Sequence, residues 1–62
     1  MMITSESLYN EYIELSNQGE IKGPGWVHLK GMFDGMNLIE KRNLEKNYRA
    51  FYENLTDKNR WR

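Results

Sequence analysis

No cysteine occurs in the 62 residues. Disulfides and thiolate metal sites, the usual staples of so short a domain, are therefore excluded, and a reducing compartment is compatible with the chain. The one histidine, His28, has neither a second histidine nor an Asp/Glu pair at metal-ligand spacing, so no metal or other cofactor is expected. No apolar run approaches the roughly 20 residues that cross a bilayer. Residues 1–6, Met-Met-Ile-Thr-Ser-Glu, have neither the basic nor the apolar region of a signal peptide. The expectation is a cytoplasmic protein with no membrane contact, in which the Asn54-Leu55-Thr56 sequon is accidental.

Catalytic signatures are missing as well. Ser5, Ser7 and Ser16 lie outside any nucleophile elbow and would have to share His28. Gly23 and Gly25 could form an anion nest, but no GKS/T or GxGxxG context accompanies them, and a structural turn is the simpler reading. So small a helical scaffold also offers little concave space for a substrate. The chain reads as a non-enzyme.

Positive charge is missing from one end. The first 21 residues carry four glutamates and no Lys or Arg, whereas residues 22–62 carry all nine basic residues and five acids. The formal net charge of zero thus hides segments of −4 and +4. Such asymmetry concerns how the two ends meet each other or a partner, not reaction chemistry.

A chain of this length is at most one domain and buries only about 60% of its unfolded surface. Eight aromatic residues give the small core large contacts. A core of about twelve side chains is nevertheless marginal, so regular helix packing or a partner must supply the rest.

The pattern is helical. Thr4 suits an N-cap, with Glu6 in the first turn and Ile3 and Leu8 placed for a hydrophobic staple. Leu8, Tyr12 and Leu15 follow helical spacing, Tyr9 and Ile13 widen the apolar arc, and Gly19 supplies the stop. A first helix over about residues 5–17 follows. Gly23-Pro24-Gly25 reads as a tight turn. Beyond it, residues 26–33 fit either a short strand paired with residues 20–22 or a helix over about 25–34. The helix places Trp26, Leu29, Phe33 and Met36 on one stripe, and the longer pattern favours it.

Asp34-Gly35 is a turn signal, and Asn37 with Glu40 reads as a capping box opening a third helix over about 38–56. Its core stripe is Leu44, Tyr48, Phe51 and Leu55, bordered by Tyr52. One continuous helix over 26–56 would also align these residues with the earlier stripe, but Gly31 and Gly35 each weaken it by about 1 kcal/mol relative to Ala. The expected fold is all-α: a domain of three helices over residues 1–56, with a frayed basic tail at 57–62.

Two surface rows stand out on the third helix. Asn43, Asn47, Ala50 and Asn54, headed by Ile39, form an uncharged strip suited to packing against another protein. Asparagine on an ordinary surface would look the same. Trp61, in a polar tail, either folds back on the helices or is a contact residue. The strip and the marginal core both point towards a homodimer. Arg42, Lys46 and Arg49, extended by Lys58, Arg60 and Arg62, could instead track nucleic-acid phosphates. Glu45 and Glu53 lie within that row and weaken it, leaving an ordinary solvated face as the simpler reading. A helix–turn–helix register centred on Gly35 would put Lys30, Asp34 and Lys41 at buried positions, which fits poorly.

The expected function is a non-catalytic adaptor or inhibitor that binds another protein. Small cysteine-free chains of this kind are typical of accessory regulators, including those of phages and mobile elements. A nucleic-acid-binding regulator is the runner-up.

Overall fold

The computed structural model describes residues 2–19 and 21–57. The described residues form four helices: α1 (Ser5–Asn17), α2 (Gly23–Asp34), α3 (Leu38–Asn47) and α4 (Arg49–Leu55). They hold no strand, so residues 26–33 are helical. The expected 57–62 tail begins with the non-helical Asp57; residues 58–62 lie outside the described residues.

The start of α1 follows from its sequence. Thr4 Oγ1 accepts from the Ser7 N–H at 3.1 Å, and Ser7 Oγ accepts from the Thr4 N–H at 3.0 Å, a reciprocal box that satisfies two otherwise orphaned amides. Past the C-cap Gln18, Gly19 adopts φ +128°, a conformation that L side chains rarely take.

The glycine–proline segment differs from its expected form. Gly23, Pro24 and Gly25 are the first turn of α2 itself. Proline fits there because its missing N–H would have had no helical partner anyway. Gly25 lies where a side chain would crowd its surroundings: a Cβ at that position would lie 3.0 Å from Ile21 Cγ2 and 3.9 Å from Leu15 Cδ1.

The third helix is likewise not continuous. It breaks at Tyr48 (φ −134°, ψ 53°), so the single helix expected over 38–56 is two. Tyr48 still donates its N–H to Leu44 at 2.8 Å, and its carbonyl accepts from Tyr52 at 2.9 Å, so the interruption is confined to one residue. A tertiary contact sits at the break: the Tyr48 ring stacks on Tyr9 of α1. Leu44, about two turns before Phe51, is buried with Phe51 and Leu55 against Leu8 and Leu29.

That core comprises Leu8, Leu29, Phe33, Met36, Leu44, Phe51 and Leu55, the four leucines being wholly inaccessible to solvent. The stripes at 29, 33, 36 and at 44, 51, 55 are therefore core, with Trp26, Tyr48 and Tyr52 partly buried around it. Ile13, expected within the apolar arc of α1, is instead exposed.

Glu40 connects two helix ends. Asn37 caps α3 by accepting from the Glu40 N–H at 2.9 Å. The Glu40 carboxylate does not complete the expected local box; it accepts from the Ser5 N–H of α1 at 2.9 Å. A carboxylate at a helix N-terminus also complements the dipole. Lys30 and Lys41, unsuited to the burial that a helix–turn–helix would require, place their ammonium groups each 5.1 Å from the Phe33 ring centroid.

Two outcomes follow. Phe51→Ala should cost about 3–5 kcal/mol, enough to unfold so small a domain, and a thermal melt by circular dichroism would reveal it. Glu40→Ala should destabilise by about 1.5–3 kcal/mol in urea titration, and Glu40→Gln by less, since an amide oxygen can still accept from Ser5. Equal losses in the two variants would show that the Ser5 contact is not what Glu40 contributes.

Candidate binding groove between the first and last helices

Helices α1 and α4 approach each other over little of their length, and aromatic rings bridge the gap. Tyr9 and Tyr12 are three residues apart on α1 and so project from neighbouring positions. Tyr9 stacks on Tyr48 with centroids 4.1 Å apart and planes inclined by 15°. Tyr12 stacks on Phe51 at 4.5 Å and 29°. Trp26 of α2 closes the cluster, 5.7 Å from Tyr12 and 6.2 Å from Phe51.

Beside these rings lies an open groove of about 310 Å³. Tyr9 and Tyr12 line it from α1; Asn47, Tyr48, Ala50 and Asn54 line it from the C-terminal helices; Phe51 and Arg49 complete it. Three of the four residues of the uncharged strip thus meet in one place. Asn43 is half-buried and does not line the groove, and Ile39 is 70% exposed at the far end of α3. Trp61 lies outside the described residues.

The basic row is divided. Arg49 is engaged, its Nε 3.1 Å from Glu53 Oε1 across one turn. Arg42 and Lys46 are exposed and have no ion pair among the described residues. Lys58, Arg60 and Arg62 lie outside those residues. His28 approaches Glu11 at 3.5 Å and links α2 to α1. No group of three or more His, Asp or Glu side chains converges on a metal-sized site among the described residues, and none of their helices is long and apolar enough to cross a membrane.

Chemically, the groove offers aromatic faces, amide donors and acceptors, and one guanidinium already shared with a carboxylate. This suits recognition by contact and hydrogen bonding, because tyrosine and asparagine supply apolar area and adaptable polar tips together. Sequence reading placed Tyr9 and Tyr48 in the core and missed their part in the groove. The available signal was the residue type: at the border of a small core, tyrosine keeps one side wet where phenylalanine would not. Comparison with known protein families, curated proteins and solved structures finds no match for this chain.

The Tyr9–Tyr48 stack should show a coupling energy of about 0.5–1.5 kcal/mol in a double-mutant cycle with leucine at each position, measured by chemical denaturation. Purely additive losses would mean that the rings pack without specific interaction.

Proposed function

We propose that this chain is a non-catalytic adaptor or inhibitor that binds another protein through the groove between α1 and α4. The observation carrying this reading is the meeting of Asn47, Ala50 and Asn54 with Tyr9, Tyr12 and Tyr48 around one open groove. Tyrosine-rich, charge-poor patches are the composition that protein interfaces favour at their centres. The protein acts in the cytoplasm, a setting that a cysteine-free chain suits, and a second copy of itself is among its partners.

A nucleic-acid-binding regulator is the second reading, favoured by the exposure of Arg42 and Lys46. The Arg49–Glu53 pair and the nearby Glu45 reduce the charge left for phosphates, so this reading ranks below the first.

Affinity capture from the native host separates the two. The tagged protein should recover one stoichiometric protein partner. Ala50→Arg, which fills the groove without a helix-breaking residue, should lose it. Val27→Arg, on the exposed side of α2, should retain it. Capture that is indifferent to Ala50→Arg counts against the groove. In filter binding, little affinity for nucleic acid is expected at about 150 mM salt, because few counterions can be released. Submicromolar affinity lost in the Arg42→Ala, Lys46→Ala, Arg49→Ala triple variant would replace the first reading with the second.

A further inference from the structure

The lining of the groove narrows what can fill it. Tyr9 stacks on Tyr48 and Tyr12 on Phe51, so its aromatic wall is two ring pairs already held in place. Rings fixed before binding lose little conformational freedom when an occupant arrives. The amides of Asn47 and Asn54 and the hydroxyls of the three tyrosines make no hydrogen bond among the described residues. They remain for an occupant to use.

Peptides dock on proteins in a few recurrent ways. Strand addition needs an exposed sheet edge, and the described residues form no strand. A docked helix needs an apolar groove, because its own backbone amides and carbonyls are already paired. Here only Ala50 and Phe51 among the lining residues lack a polar side-chain atom. Anionic motifs are held by clusters of arginines. Arg49 is the one charged residue lining the groove, and it is paired with Glu53 at 3.1 Å. A polyproline II segment is different. It has no internal hydrogen bonds, so its carbonyls seek donors, and its prolines pack on aromatic rings. Tyrosine rings together with asparagine amides supply both.

We propose that the occupant of this groove is an uncharged, proline-rich segment of the partner, bound in the polyproline II conformation. This rests on the protein-binding reading above and gives its partner a chemical class. Proline rings of the segment lie against the Tyr9–Tyr48 and Tyr12–Phe51 pairs, and Asn47 and Asn54 donate to its carbonyls. Such a segment is nearly in its bound conformation when free, so little ordering opposes binding. The one proline of this chain, Pro24, is built into the first turn of α2. The segment therefore comes from another protein.

A fluorescently labelled decaproline peptide, titrated with the full chain and read by anisotropy, tests the proposal. An amphipathic helical peptide of about 20 residues, long enough to fold in water, is the comparison. Decaproline should bind saturably with a dissociation constant below about 1 mM, and the helical peptide at least about tenfold more weakly. Asn54→Ala should weaken decaproline binding by about threefold to tenfold, the worth of one hydrogen bond. Ala50→Arg should abolish it, and Val27→Arg should leave it unchanged. All three positions are exposed, and circular dichroism establishes that each variant is folded. Should Ala50→Arg unfold, Asn54→Ala still decides the matter. Absence of saturable binding at millimolar peptide overturns the proposal. So does equal binding of the helical peptide, or decaproline binding that ignores Asn54→Ala and Ala50→Arg. If decaproline fails while capture of a foreign protein still depends on Ala50, the adaptor reading stands and its proline-rich occupant falls. Conversely, decaproline binding that responds as stated while capture fails would keep the groove's ligand class and remove the adaptor role.

Discussion

The structure depends on the burial of one ring. Phe51 is 4% exposed and lies against Tyr9, Tyr12 and Trp26, so side chains from α1, α2 and α4 converge on it. In a chain without disulfides, such a convergence substitutes for a covalent staple: aromatic side chains bury the largest areas available and interact through ring geometry as well. Tyr52, the next residue, turns the other way and meets Phe33 edge-on at 5.8 Å, tying α4 to α2 on its second side. Adjacent residues on a helix point about 100° apart, so a helix of seven residues serves both contacts.

Polar interactions then set how the helix ends meet. Glu40 carries its charge from α3 to the first amide of α1 and so registers the two helices against each other. Its effect differs from that of an exposed pair such as Arg49–Glu53, where solvent screening leaves little net energy. The lysines over Phe33 use their stems as apolar cover and their ammonium groups as partners for the ring.

The groove follows from the same economy. Rings rather than backbones bridge α1 and α4, so space remains beside the rings, lined by tyrosines and asparagines. The uncharged strip acquires its meaning only here: Asn47, Ala50 and Asn54 line the same groove as Tyr9 and Tyr12.

Much of the local structure was legible in the residues. Thr4, Gly19, Asn37 and the turn at Gly35 delimit helices because capping and turn chemistry act over three or four residues, and the apolar spacing identified Leu8, Leu29, Phe33, Leu44, Phe51 and Leu55 as interior. The break at Tyr48 was not legible. Neither glycine nor proline marks it, and only long-range packing favours a bent backbone there over a continuous helix. The reach of Glu40 to Ser5 spans 35 positions and competes with an equally plausible local box. The sequence by itself thus determined the helical class, the ends of α1 and most of the core, since these follow from neighbours a few residues apart. The tertiary structure alone decided the fourth helix, the crossed cap and the groove, because each depends on which distant side chains come within contact of one another.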